Sequence, residues 1–175
     1  MKFYTKLQDW LAGPFSQKMQ KFMQNPYMHA LQVCFTIILP MIMVGSLASL
    51  VNTFRNFAPW LPDLSLINSF SFGLISIFMA FLIPYTIMES KKLQKQKMIT
   101  GFASVSALIA LANPQYVDGN LVINSGYVGT GGMTVAMVMG LVIGWLFSAY
   151  FKHGLFKKDS SLPSVVVVWF ESILI

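Results

Sequence analysis

No charged residue occurs between Lys21 and Arg55, and this stretch limits the possible folds more than any other feature of the sequence. A helix over residues 28–53, at ~1.5 Å per residue, is longer than the ~30 Å hydrocarbon core of a bilayer. We therefore predict that residues 28–53 cross a membrane, and that Pro40 kinks this helix near its middle.

Three more apolar stretches follow at residues 64–88, 98–113 and 127–151, and a fifth begins near Leu162. The stretch over 98–113 is short. In the whole chain 55% of residues are hydrophobic and 10% are charged, whereas a soluble domain carries about 25% charged residues. We predict an all-α membrane protein with four transmembrane helices and the start of a fifth, built from residues 25–175.

Residues 1–24 are amphipathic and precede the first predicted span. Aromatic and aliphatic residues recur there at helical spacing, and the lysines lie mostly off that face. A basic helix of this kind lies in the membrane interface, and Gly13-Pro14 predicts a break or kink in it. The alternative is a helix that binds a partner protein. The segment is too polar to be a cleavable signal peptide, so we expect insertion through the first membrane helix.

The basic residues alternate between the two ends of the predicted spans. Arg55 is the only one after the first span, and the loop after the third span contains none. The other groups precede the first span, follow the second and follow the fourth: Lys2, Lys6, Lys18 and Lys21; Lys91, Lys92, Lys95 and Lys97; Lys152, Lys157 and Lys158. Because cytoplasmic loops carry an excess of Lys and Arg, this pattern predicts a cytoplasmic N-terminus. It also explains the net charge of +6 without a nucleic-acid partner.

The loop between the third and fourth predicted spans contains Asp118-Gly119, flanked by Val, Leu and Ile. This pair favours a tight turn between two strands. We expect a short hairpin or another ordered loop on the side opposite the cytoplasm.

The fourth span carries small residues four positions apart: Gly132, Ala136, Gly140 and Gly144. Small residues on one face allow two helix backbones to approach closely in lipid. The partner is either another helix of the same chain or a second subunit, and the sequence leaves both open. The third span has a looser version of this pattern at Ala103, Ser106, Ala107 and Ala110.

Chemically reactive side chains are scarce. No Asp, Glu, Lys or Arg lies inside the four spans, although proton and ion paths through membranes use such groups. Two separate histidines, His29 and His153, and the single Cys34 do not form a metal site. Glu171, the only acid in an apolar stretch, either lies at membrane depth or, as we favour, near the cytoplasmic interface. We assign no catalytic, cofactor-binding, metal-binding or substrate-binding residue.

Three segments together resemble a known family. Residues 26–47 resemble the first membrane helix of enzyme IIC permeases of the bacterial phosphoenolpyruvate-dependent sugar phosphotransferase system, of the lactose/cellobiose (diacetylchitobiose) type. The matching residues are Ala30, Phe35, Pro40, Gly45 and Ser46. Gln32-Val33-Cys34 stand where the family has Arg-Asp-Gly. Residues 127–136 (YVGTGGMTVA) resemble the segment that opens its fourth helix, and Ser161-Leu-Pro-Ser with Phe170 resembles the segment before its fifth.

The resemblance implies a multi-pass protein of the bacterial cell membrane whose N-terminal helices form a scaffold and homodimer interface. It implies uptake of a sugar such as cellobiose or lactose, which a separate IIB protein phosphorylates on the cytoplasmic side. The family's sugar-binding His and Glu belong to a C-terminal half that this chain lacks. Whether the chain counts as an enzyme is therefore uncertain, and no cofactor is implied. We expect that it does not transport alone.

Two alternatives remain open at this stage. One is a non-transporting membrane adaptor that dimerises with a full-length permease through the stripe of small residues. The other is an unrelated membrane protein with four helices. A helix from Leu162 to Ile175 would reach only ~21 Å. We therefore expect that the native chain continues, that a partner covers this end, or that the stretch lies flat at the interface.

Overall fold

The computed structural model describes residue 13 and residues 15–153, and most of this part is helical. The elements, in chain order, are α1 (Ser16–Met23), α2 (Pro26–Arg55), α3 (Ser65–Phe72), α4 (Ile75–Ser90), α5 (Lys97–Leu111), β1 (Gln115–Val117), β2 (Asn120–Val122), α6 (Ser125–Val128), a 3-10 turn (Thr130–Gly132) and α7 (Met133–His153). The predicted fifth span and Glu171 lie outside the described residues. So does most of the N-terminal segment, of which the helical Ser16–Met23 is seen.

Among the described residues, three helical stretches are long and apolar enough to cross a membrane: Pro26–Arg55, Ser65–Ser90 and Thr130–Lys152. They agree with three of the four predicted spans and are compatible with a multi-pass membrane protein. The fourth candidate, α5, has 15 residues, or ~22 Å of helix, which is less than the ~30 Å hydrocarbon core. Its crossing of the membrane stays a prediction.

The outer surface of the bundle is strongly apolar. Ile37, Met43 and Leu47 of α2 are each more than half exposed, and so is Val138 of α7. A soluble monomer seldom exposes contiguous apolar patches beyond a few hundred Å². Lipid tails, unlike water, cover such side chains without penalty, so the exposed faces of these helices suit a bilayer.

Helix α4 lies at the centre of the bundle and packs against α2, α5 and α7. Its side chains Met79, Ala80, Ile83 and Ile87 have no exposed surface. They form one core cluster with residues of the surrounding helices, including Cys34 of α2. The apolar faces of the other helices therefore meet on α4, which fixes their relative positions.

The stripe of small residues on α7 packs against α4 of the same chain. A Cβ added at Gly140 would lie 3.0 Å from Ile83 Cβ, and one added at Gly144 would lie 2.6 Å from Ile87 Cδ1 and 3.3 Å from Pro84 Cα. This contact decides the question that the sequence left open, in favour of packing within the chain. Gly140 and Gly144 are therefore covered by α4 within one chain; the adaptor alternative itself stays untested.

The second predicted span contains a break that the sequence analysis missed. We predicted one continuous helix over residues 64–88, but α3 ends at Phe72 and α4 begins at Ile75. Leu74, with φ −120° and ψ 5°, leaves the helical conformation, and its carbonyl accepts the amide of Ile77 three residues later. The regular ladder of i to i+4 bonds is interrupted there. By contrast, α2 remains helical through Pro40 as far as Arg55.

The connection between α2 and α3 is held by polar side chains. Arg55 binds Asp63 at 2.6 Å, and the Asn52 side chain accepts the Leu64 amide at 2.9 Å. Hydrogen bonds from the Ser65 side chain and amide, and then from Arg55, lower the pKa of Asp63 to about 2. A lowered carboxyl pKa stabilises the fold above the ordinary value of 3.8, and the effect disappears as the pH falls through about 2.

The predicted hairpin is confirmed. Strands β1 and β2 are antiparallel, with Tyr116 opposite Leu121 and Val117 opposite Asn120. Asp118 (φ 50°) and Gly119 (φ 78°) both have positive φ, as a two-residue turn of the I′ type requires.

We predict that Gly140→Leu destabilises the protein by about 1–3 kcal/mol, because the added side chain has no space between α7 and α4. The matched control is Val138→Leu, which enlarges an exposed side chain of the same helix and should change little. Thermal unfolding in detergent measures both. Equal stability of the two variants would contradict the packing described here, as would loss of a dimer with no loss of monomer stability.

Candidate functional site

A groove of about 670 Å³ opens where the second span is interrupted. It lies between α3, the break at Gly73-Leu74 and residues 123–131, which connect the hairpin to α7. We call it the hairpin-side groove. It is the one place among the described residues where a helix break, a glycine-rich segment and a cavity meet, and it is therefore our candidate site.

The glycine-rich segment at residues 127–132 forms one wall of this groove through its tight folding. A Cβ at Gly132 would overlap the carbonyl oxygen of Tyr127, and one at Gly131 would lie 2.7 Å from the carbonyl oxygen of Gly126. Only glycine allows these backbone atoms to approach so closely. Backbone groups, rather than long side chains, consequently border this wall.

A buried hydrogen bond connects the glycine-rich wall to the start of α4. The Ser76 hydroxyl, which has no exposed surface, donates to the carbonyl oxygen of Gly129. That carbonyl also accepts the amide of Gly132 at 3.0 Å. Ser76 is the second residue of α4, so the bond fixes the start of α4 to the start of α7 beside the break.

The lining of the groove is neutral. Asn68, Ser69 and Thr130 supply polar side chains, and Phe70 and Phe72 supply aromatic rings, but no ionisable residue lines it. Such a site can accept and donate hydrogen bonds and cover an apolar or sugar-ring face. None of these lining residues is a His, Asp, Glu, Lys, Cys or Tyr, the side chains that usually act as general acids or bases.

The residues that the sequence analysis considered do not gather in this groove. Cys34 is fully buried in the core cluster, His29 is exposed near the start of α2, and Asp118 lies at the hairpin turn. Within residues 13 and 15–153, no group of three or more His, Cys, Asp or Glu residues could hold a metal ion. His153 is the last of the described residues, at the end of α7.

Sequence reasoning missed the groove although a weak signal exists. Ser69, Ser71 and Gly73 interrupt the apolar run shortly before the break, and this composition could have suggested an irregular helix. Comparison of the chain with models of known protein families, with curated proteins and with solved structures finds no match. The structure by itself therefore defines a class: a mostly helical protein that has, within residues 15–153, three helices long and apolar enough to span a membrane.

We predict that Ser76→Ala lowers the unfolding free energy by about 1 kcal/mol, which is the net value of one hydrogen bond. The loss stays moderate because the Gly129 carbonyl keeps its bond from Gly132. For a chain of this size the thermal midpoint should fall by ~2–4 °C. Ser46→Ala is the control, because the exposed Ser46 hydroxyl donates to the Ile42 carbonyl within its own helix and connects no other element. Equal midpoints for both variants would count against a stabilising hydrogen bond from Ser76 to Gly129.

Proposed function

We propose that this chain is the N-terminal scaffold of a IIC sugar permease in a bacterial cell membrane, working as a homodimer. In the proposed reaction a β-linked disaccharide such as cellobiose or lactose crosses the membrane and is phosphorylated by a separate IIB protein. The observation that carries the proposal is the interrupted second span facing a glycine-rich helix start. Transporters commonly build substrate paths from discontinuous helices, whose free backbone groups point into a cavity.

Two of the segments that resemble the permease family contact residues next to the helix break, one just before it in sequence and the other just after it. A Cβ at Gly45 would lie 2.8 Å from both the Phe72 ring and Ser71 Cβ, just before the break. The segment at residues 127–132 binds Ser76, just after it. Segments that are distant in sequence thus meet at the same irregular point, which supports a shared functional reason for both.

The neutral lining of the groove limits the role of this chain. Tight sugar recognition needs several polar groups that converge in a cavity, and the groove offers Asn68, Ser69, Thr130 and backbone groups. The proposal therefore assigns most sugar contacts to a C-terminal half of the kind the resembled family has. It assigns the phosphoryl transfer to the IIB protein.

We further propose four membrane crossings with a cytoplasmic N-terminus. Lys91, directly after α4, donates hydrogen bonds of 2.7 Å to Tyr27 near the start of α2 and to Ser148 near the end of α7. The first span thus begins at the level where the second and the fourth end. This arrangement supports alternating directions, with the short α5 as the third crossing.

Cysteine labelling tests this topology. Cys34 is the single cysteine, so a Cys34→Ala background is free of other thiols. We predict that a membrane-impermeant maleimide labels Asp118→Cys in intact cells and labels Lys95→Cys only after permeabilisation. The reverse pattern would place the N-terminus outside, and labelling of both positions in intact cells would contradict the third crossing.

Sugar uptake tests the function itself. In a source strain without other cellobiose and lactose uptake systems, deletion of this coding sequence should lower phosphoenolpyruvate-dependent uptake of at least one of these sugars tenfold or more. The intact gene should restore uptake, and mannitol uptake serves as the control. Unchanged uptake of both disaccharides would refute the proposed function.

A further inference from the structure

A second cavity lies at the opposite end of α4 from the groove. It measures about 270 Å³ and is lined by Lys91, Leu93, Ser148 and Lys152. We call it the lysine pocket. Lys91 directly follows the candidate span Ser65–Ser90, and Lys152 is the last residue of the span Thr130–Lys152. The pocket therefore lies at the ends of two apolar helices, which is the level of lipid headgroups in a bilayer.

Lys91 is held firmly, but only by neutral groups. Its ammonium nitrogen donates to the Tyr27 hydroxyl and the Ser148 hydroxyl, both at 2.7 Å, and lies 4.6 Å from the centre of the Tyr27 ring. The Ser148 hydroxyl in turn donates a hydrogen bond of 2.9 Å to the Trp145 carbonyl. Because an ammonium group has three donors, one N–H of Lys91 remains for another partner.

Among the described residues, no carboxylate lines the lysine pocket or pairs with its two lysines. The ion pairs among the described residues are Arg55 with Asp63 and Lys97 with Glu89, and neither involves Lys91 or Lys152. The lining of the pocket contains two lysines and no acid. Two like charges beside one small cavity repel each other, and an anion between them would remove this repulsion.

The turn after α4 gives Lys91 its position. The Leu93 amide bonds back to the Met88 carbonyl at 2.9 Å, and Lys92 has φ 62°, which together form a Schellman helix end. Leu93 also packs against the core cluster that contains Met88. A left-handed conformation is unfavourable for a residue other than glycine, so the packing must hold this turn in place.

Attraction to helix ends explains only part of this arrangement. Lysines are favoured beside the partly negative carbonyl groups at a helix C-terminus, and both Lys91 and Lys152 have that position. That effect does not require Lys91 to bond hydroxyls on two other helices. It also does not require both lysines to border one cavity.

We propose that the lysine pocket binds a phosphate group. Lys91 and Lys152 supply the positive charge, and Ser148 and Tyr27 orient Lys91. Basic pockets between membrane helices at the headgroup level are known to bind anionic lipid headgroups. The phosphate belongs either to an anionic phospholipid of the adjacent leaflet or to a free phosphate ion, because both present the same oxygens to the two lysines.

Thermal unfolding of the full chain in detergent tests the proposal with three additives: phosphatidylglycerol, phosphatidylcholine and inorganic phosphate. We expect phosphatidylglycerol to raise the midpoint and phosphatidylcholine to have little effect. Lys152→Gln should weaken the response to phosphatidylglycerol at least fivefold in apparent affinity. Lys152 is exposed and makes no hydrogen bond among those described, so this variant should fold normally. Lys91→Gln should weaken the response to phosphatidylglycerol in the same way. Lys95→Gln is the charge-matched control, because Lys95 is an exposed lysine of the same loop.

The three additives also separate the two sources of phosphate. A lysine-dependent response to phosphatidylglycerol alone assigns the pocket to lipid, and one to inorganic phosphate assigns it to a free anion. The proposal is wrong if all three additives shift the thermal midpoint equally or if none shifts it. It is also wrong if the midpoint of Lys152→Gln shifts as much as that of the wild type and of Lys95→Gln.

Discussion

The close approach of α7 to α4 determines the arrangement of the other helices. Lipid tails are as apolar as leucine side chains, so helices in a bilayer gain little from burying apolar surface and depend on close packing instead. Gly140 and Gly144 bring the α7 backbone against Ile83, Pro84 and Ile87. With α7 on one side and α2 and α5 on the others, α4 is enclosed. The remaining apolar faces of these helices are exposed and are compatible with contact with lipid.

The same packing makes an interrupted helix tolerable. In a hydrocarbon environment every backbone polar group needs a partner, and irregular backbone is found only where protein covers it or where it lines a cavity. At the break between α3 and α4, the Gly73 amide reaches the Ser69 carbonyl, and Ser76 reaches Gly129 of the glycine-rich segment. The hairpin-side groove thus lies where the glycine-rich segment supplies hydrogen-bond partners beside the helix break.

The sequence predicts the features that depend on local composition. Long uncharged stretches give the three helices that can span a membrane, and Asp118-Gly119 gives the hairpin, because a two-residue turn with positive φ needs such residues. The break after Phe72 was not predicted, since a single glycine within an apolar run is common in membrane helices. The lysine pocket could not be predicted either. It depends on residues 27, 91 and 148 meeting in space, and no local pattern encodes that.

The two ends of α4 lie beside polar groups of different chemical types. Ser76, at one end, donates to Gly129, which lines a groove bordered by amide, hydroxyl and backbone groups without charge. Lys91, at the other end and ~22 Å away at 1.5 Å per residue, belongs to a cavity with two ammonium groups and no acid. Between them, Met79, Ala80, Ile83 and Ile87 are apolar and buried in the core cluster. Because α4 packs against α2, α5 and α7 between these two ends, the buried core separates the neutral groove from the basic pocket.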